Sequence, residues 1–584
     1  LTSLIEAARD NLVATNKLPD AVAHVRVEIT DTKNPDHGDY ACNFAMTATK
    51  AAGMPPRQIG ELLQRELQTN PVFQAIDLAG PGFLNFRLAP EAISKHVPTV
   101  LEKGSTIAQI DLGKGERINV EFVSVNPNGP ITIGSGRGAA FGDTICRVLN
   151  AAGYEAYREY YINDGINSEQ MRLFSLSVRH YYREMIGLAT EFPEKGYKGE
   201  YVQDVAKTIL AQEGPDHAEE PTSWFQKISQ VLMIERQRSD LKSFRVCFDI
   251  WYSEQSMHDA GKVMRALEML EKNGNAYRSA KAADAEEDPE AEQTSTSDKE
   301  ALWLRSTAFG DDKDRVLVRA DGRPTYISPD IAYLQDKFDR GFSRQKMILG
   351  PDHHGYMGRL YAVARALGHT VGHDGEFEIV IYQIVRFVKE GKPAPMRKRD
   401  GNIYELRDLI SELGETAAPE GSKEEQLRIG ADVARFFFLM RSHETHMDFD
   451  IDLATKQSDE NPVFYAQYAH ARLSGVIAKA KESGLTPNPE HWKLLTHPKE
   501  LALIKKILDL PYDVERTVAD YGVHRLTVFA TELARTYHHF YDACRVIQPE
   551  EPELSQARLA LCEAARIALA ATFDLLGVSA PERM

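Results

Sequence analysis

The chain has 584 residues, a formal net charge of −17 and 43% hydrophobic residues, which suits several domains of about 100–200 residues each and is too apolar for a disordered chain. No apolar run reaches the roughly 20 residues that span a bilayer. The five cysteines contain no Cys-x-x-Cys pair, which speaks against a disulfide framework or zinc ribbon and for a reducing, cytoplasmic setting.

The first 105 residues read as a small α+β domain. Residues 1–12 form an amphipathic helix rather than a secretion signal. His37-Gly38-Asp39-Tyr40 precedes a helical stretch to about Lys50, and Pro55-Pro56 opens a second helix. Gly80-Pro81-Gly82 followed by Phe83-Leu84-Asn85-Phe86-Arg87 is a turn entering a strand. A second domain, 106–385, opens with a buried strand over 118–125 that ends at Asn126-Pro127. A glycine-rich loop to Gly136 and a helix from near Arg137 to before Gly153 follow, then a strand over 155–163. This is the start of a parallel α/β sheet of Rossmann type. Residues 168–272 read as mainly helical. Residues 281–300 are acidic, with almost no apolar anchors, and read as a disordered surface insertion. Strand-like runs return at 315–318 and 346–349. Residues 386–455 carry a basic loop, and 456–584 is an all-α bundle of about four long segments.

Four motifs carry chemistry. The loop Asn128-Gly129-Pro130-Ile131-Thr132-Ile133-Gly134-Ser135-Gly136 would offer backbone N–H groups and a positive helix end to an anion; it reads equally as a tight strand–helix turn. It lacks the Gly-x-Gly-x-x-Gly and Gly-x4-Gly-Lys-Ser/Thr spacings, which disfavours nicotinamide and P-loop sites. Lys392 to Gly401 contains four basic residues bracketed by Pro and Gly, suited to a polyphosphate, although such clusters are commonly just solvated. Gly350-Pro351-Asp352-His353-His354 follows an apolar strand, where Asp352 would accept ribose hydroxyls; adjacent histidines without a matching carboxylate or thiol do not suggest a metal. Glu121, Asp164 and Asp330 lie beside strand ends and would meet a guanidinium fork, though singly each reads as a cap or surface acid, Asp330 as an N-cap.

In this order the segments resemble the class I arginyl-tRNA synthetases nearly end to end: His37 to Tyr40, Gly82 to Phe86, Glu121 to Gly142, Glu159 to Asp164, Asp330 to Tyr333, Gly350 to Tyr356, Met396 to Asn402, Asn461 to Arg472 and Pro581 to Met584. The resemblance implies activation of L-arginine by ATP with Mg2+ and transfer to the 3′ end of tRNA(Arg), activation requiring bound tRNA, in a cytoplasmic monomer without membrane contact or structural metal. It implies an arginine pocket of Glu121, Asn126, Tyr326 and Asp330. It implies ATP contacts from Pro127, Gly129, Gly134, Gly136, Gly350, Asp352, His353, Met396 and Lys398. The catalytic set is Thr132, Gly134, Ser135 and Lys398. Phe83 and Asn85 would read the tRNA D-loop, and Tyr468, Tyr541 and Met584 the anticodon; read structurally, Phe83 is core and Asn85 a turn residue. Two departures stand out. The family's His-Ile-Gly-His is Thr132-Ile133-Gly134-Ser135 here, and its Lys-Met-Ser-Lys-Ser is Pro395-Met396-Arg397-Lys398-Arg399. Hydroxyls donate hydrogen bonds but carry no charge, so the sequence leaves open a catalytically impaired, tRNA-binding relative. The acidic balance is compatible with RNA because it is uneven: −6 falls in 251–300 and −8 in 401–460, whereas 391–400 carries +3.

Overall fold

The computed structural model describes residues 1–32, 34–165, 168–280, 300–394 and 404–584. Most of the acidic insertion and the segment with Met396, Arg397, Lys398 and Arg399 lie outside the described residues.

At the N-terminus, strands β1 (Ile29–Asp31), β2 (Tyr40–Cys42), β3 (Phe73–Ala79) and β4 (Phe83–Leu88) form an antiparallel sheet in the order β1-β2-β4-β3. Helices Thr2–Ala14 and Pro56–Leu67 close it around Ile5, Leu12, Phe44, Ile59, Leu63 and Phe86. The Gly80–Gly82 turn is where the sequence places it, joining β3 to β4.

The central sheet contains β5 (Arg117–Glu121), β6 (Glu155–Ile162) and β7 (Ile250–Ser253). After a small antiparallel sheet of β8 (Ala276–Ser279), β9 (Ala301–Leu304) and β10 (Arg315–Val318), it is completed by β11 (Arg344–Leu349) and β12 (Phe377–Ile381). Its order is β12-β11-β5-β6-β7, all parallel. The chain winds one way from β5 and the other way through β11, so a crevice opens at the carboxyl ends of β5 and β11, the usual ligand position in such sheets. The 315–318 run is therefore not part of the parallel sheet. The 168–272 stretch is mainly helical, as expected; helices Glu169–Met185, Glu200–Glu213 and Thr222–Ser243 lead into β7, a four-residue edge strand too short to show a period.

A third sheet pairs β13 (Val385–Lys389) with β14 (Lys392–Ala394) and β15 (Met447–Asp450). Helices Pro462–Glu482, Pro498–Leu508, Leu510–Asp520, His524–Ala543 and Pro552–Leu576 make the C-terminal bundle, five where four were expected because Asp509 divides one segment. Its core is continuous with that of the parallel sheet. Among the described residues no helix is long and apolar enough to cross a membrane.

Candidate active site

The apolar run 118–125 does not continue as a strand. β5 ends at Glu121, and Val123 and Ser124 adopt left-handed backbone with φ of 67° and 41°, costly by about 1–3 kcal/mol for a β-branched residue such as Val123. Neighbours enforce the bend. The Ser124 hydroxyl donates to Glu121 Oε1 (3.2 Å) and accepts from the Tyr161 N–H (3.1 Å). The Tyr160 hydroxyl donates to the Val125 carbonyl (3.0 Å), and Gln237 Nε2 donates to the carbonyls of Asn126 (3.1 Å) and Gly129 (2.7 Å). Asn126 lies in a chain of amides, accepting from Asn163 Nδ2 (3.1 Å) and donating to Gln170 Oε1 (2.7 Å). Pro127 and Gly129 are thus held in a loop braced by the helical insertion.

The next helix is Ile133–Ala151, four residues earlier than its glycines suggest. Thr132 is its N-cap: Oγ1 accepts the Ser135 N–H at 3.3 Å and lies 3.2 Å from Ser135 Oγ. Gly134 and Ser135 are therefore first-turn residues, at the positive end of a helix whose first N–H groups lack intrahelical partners. The glycines that read as loop are there for close packing. A Cβ on Gly136 would meet Leu406 at 2.7 Å, and one on Gly138 would meet the Tyr382 ring at 2.7 Å. The helix is anchored by buried charge. Arg137 donates to the carbonyls of Gln383 (2.6 Å), Ile384 (3.4 Å), Ser442 (3.0 Å) and Thr445 (3.0 Å), and burial lowers its guanidinium to about 10. Asp143 meets Arg435, Arg147 and Arg158 at 2.6–2.8 Å; against the effect of burial, these three hold its carboxyl below the usual range.

Across the crevice, Gly350 and the exposed Asp352 and His353 stand at the start of a 3-10 turn, Pro351–Tyr356, directly after β11. Tyr382 links this turn to the helix: its hydroxyl faces Gly350 while its ring covers Gly138.

The acidic end is built from four elements. Glu121, buried at the tip of β5, accepts Lys337 Nζ at 2.6 Å, and Lys337 lies over the Tyr333 ring at 4.1 Å. That carboxylate is already partly compensated, which the sequence reading did not foresee. Asp330 is no N-cap: the helix Ile327–Asp339 is capped at Tyr326, and Asp330 sits in its first turn. Its Oδ2 accepts the Tyr356 hydroxyl at 2.6 Å. Burial, reinforced by Glu254 and Glu121, pushes its carboxyl up to about 7 against the pull of Tyr356 and Arg359. Glu254, directly after β7, is the residue the sequence reading missed. Burial raises its carboxyl while the Tyr161 hydroxyl and His258 oppose the shift, and it packs against Gly165, where a Cβ would lie 3.1 Å from Oε1. The available signal was a carboxylate one residue past a short aromatic strand, Trp251-Tyr252-Ser253. Tyr326 stands at the rim, 55% exposed, its hydroxyl accepting from Arg359, whose guanidinium covers Tyr356 at 4.8 Å. Asp164 is occupied elsewhere, accepting from the Ser253 hydroxyl (2.6 Å) and the Gln255 N–H (2.9 Å).

The RNA-facing candidates sit apart from the crevice. Phe83 is exposed at the start of β4, not core, and Asn85 is nearly buried within that strand, not in a turn. Tyr468 and Met584 are exposed on the bundle, Tyr468 beside the ring of His538, and Tyr541 is half-buried beneath Arg472 at 4.3 Å. Among the described residues no group of three or more His, Cys, Asp or Glu is arranged to hold a metal ion.

A parallel sheet of this order, with a glycine-bearing helix N-terminus beside the crevice and a helical bundle behind it, has the architecture of a class I aminoacyl-tRNA synthetase. The family model for the class I (R) catalytic domain of tRNA synthetases matches residues 96–431, the arginyl tRNA synthetase N-terminal domain matches 2–88 and the DALR anticodon-binding domain matches 466–584. The chain is 42% identical to the arginine–tRNA ligase of Bacillus subtilis, covering 96% of this chain and 94% of that one, and 39% identical to that of Geobacter sp. strain M21, covering 96% and 95%. The Thermus thermophilus arginyl-tRNA synthetase superposes with a TM-score of 0.70 over the whole of both chains at 20% identity, a likeness of fold. The chain belongs to the arginyl-tRNA synthetase family.

Proposed function

We propose that this protein is an arginine–tRNA ligase that joins L-arginine to ATP, releasing pyrophosphate, and passes the arginyl group from the adenylate to the 3′ end of tRNA(Arg). The observation that carries this reading is the acidic end of the crevice, where Asp330, bonded to Tyr356, converges with Glu254 and Glu121, and burial with these two carboxylates pushes it up to about 7. A guanidinium supplies positive charge in fork geometry. Asp330 and Glu254 receive the guanidinium, with Tyr326 closing the rim. Glu121, half-neutralised by Lys337, and Asn126 are suited to the single charge of the α-ammonium. Citrulline, isosteric but neutral, would not supply the positive charge that Asp330 and Glu254 lack and is rejected.

ATP, as its Mg2+ complex, is a substrate here. The Ile133–Ala151 helix end, with Thr132, Gly134 and Ser135, faces the phosphates, Gly136 packing beneath it against Leu406, and Pro127, Gly129, Gly350, Asp352 and His353 line the nucleotide side. Met396 and Lys398 are assigned by sequence alone. Neutral donors aimed at developing negative charge stabilise the transition state without changing protonation. Phe83 stacks on an unpaired D-loop base, while Tyr468, Tyr541 and Met584 meet the anticodon; Asn85, nearly buried, contributes through its neighbours. The protein acts as a cytoplasmic monomer. Charging of tRNA(Arg) with labelled arginine tests the proposal: arginyl-tRNA should accumulate with ATP present, and its absence under saturating substrates would overturn the reading.

A further inference from the structure

The motif His37-Gly38-Asp39-Tyr40 takes no part in the crevice, yet Gly38 and Asp39 are tied to two parts of the molecule. Gly38 has φ +85°, and a Cβ there would lie 2.6 Å from the Phe86 carbonyl oxygen. The glycine lets the Asp39 N–H reach that carbonyl at 2.7 Å. The Asp39 carboxylate then does two things. Oδ2 accepts the Leu88 N–H at 2.7 Å, closing the end of β4, and Oδ1 accepts Lys505 Nζ at 2.5 Å, 466 positions away on the bundle helix Pro498–Leu508. The pair is well shielded, with side-chain exposures of 18% and 29%. Tyr40 faces the same junction, its hydroxyl pushed up to about 12 by burial and by Asp509 of the bundle, together with Asp31 and Asp39. Next to Lys505, Lys506 is held by Glu532 at 2.8 Å, so Lys505 is the cation turned toward the N-terminal domain.

We propose that Asp39 and Lys505 form a positioning latch that fixes the strand bearing Phe83 against the bundle bearing Tyr468 and Tyr541, so that a single tRNA meets both surfaces in register. This inference rests on the tRNA-ligase reading above. β4 is the mechanical link: Asp39 grips it at Phe86 and Leu88, and Phe83 begins it. Two RNA contacts on one rigid frame gain from effective concentration; once the frame loosens, the second contact forms as an almost independent event and much of that gain is lost. The latch therefore acts on tRNA and leaves the arginine and ATP sites alone.

The test is a double-mutant cycle read as KM for tRNA(Arg), with KM for arginine and ATP measured alongside. Phe83→Ala should raise the tRNA KM about tenfold, the scale of one stacked base. Lys505→Met should raise it by a similar factor while leaving the other two constants unchanged, and Phe83→Ala added to Lys505→Met should then cost little more. Lys505→Arg, which keeps the charge, should behave as wild type, and Asp39→Asn, which keeps the Leu88 contact, should match Lys505→Met. Independent losses in the double variant, a silent Lys505→Met, a silent Phe83→Ala, or a rise in all three KM values together would each overturn the latch. A wild-type protein that does not charge tRNA at all would instead overturn the functional reading on which it rests.

Discussion

At the β7 end of the crevice, Glu121, Glu254 and Asp330 come together with the partial compensation of Lys337, His258 and Arg359, and Asp330 is pushed up to about 7. At the other end, the Ile133–Ala151 helix presents hydroxyls and backbone amides, and the Arg137 guanidinium of that helix is turned away into four carbonyls. Among the described residues, one end holds excess negative charge, and the other offers dipoles. On the proposed reading, specificity for the amino acid rests on full charges, whose loss is expensive, and phosphate handling on neutral donors, whose loss is milder. Cationic help for the phosphates has to come from elsewhere, and the +3 segment 391–400 is the natural source in the sequence.

Mutations should separate the two ends. Asp330→Asn removes a charge-assisted partner and leaves the guanidinium facing an amide. The arginine KM should rise about a hundredfold or more, with the ATP KM unchanged; a comparable rise in both would erase the distinction. Glu254→Gln should act in the same direction with somewhat smaller size. At the helix end, Ser135→Ala should lower the rate of activation by about tenfold with the arginine KM intact, measured as single-turnover adenylate formation. An unaltered rate would remove Ser135 from the phosphate site.

The acidic end also predicts a pH dependence. Asp330 must be ionised to pair with arginine, so binding releases a proton wherever the free carboxyl is protonated. Affinity should be level above about pH 7 and fall below it, by about tenfold between pH 8 and pH 6. Glu254, also raised, steepens the fall at the acid end, while His258 and Arg359 temper it. Isothermal titration in buffers of different ionisation enthalpy reads the released proton directly. The smallest effect concerns stability: Thr132→Val removes the cap of the helix and should cost about 1 kcal/mol, visible as a modest drop in Tm.

Much of this was legible in the chain. The glycine loop, the acids at strand ends and the helical tail have local signatures. What escaped did so for physical reasons. Gly134 and Gly136 lower helix propensity, so the helix appeared to begin at Arg137; the Leu406 contact that makes glycine necessary at Gly136 comes from far along the chain. Val123 reads as strand because its side chain favours one, and the bracing of the bend by Glu121, Tyr161, Tyr160 and Gln237 reverses this. β7 is four residues long on a sheet edge, and with it Glu254 disappeared into a helical stretch. The pairing of Glu121 with Lys337 spans 216 positions and leaves no local trace.

The most direct test is arginine-dependent ATP–pyrophosphate exchange by the wild-type protein and Asp330→Asn, each with and without tRNA(Arg). The account predicts exchange by the wild type only when tRNA is present, and exchange by Asp330→Asn recovered only at far higher arginine. No exchange by the wild type with tRNA and saturating arginine, or exchange by the variant at unchanged arginine, would contradict it.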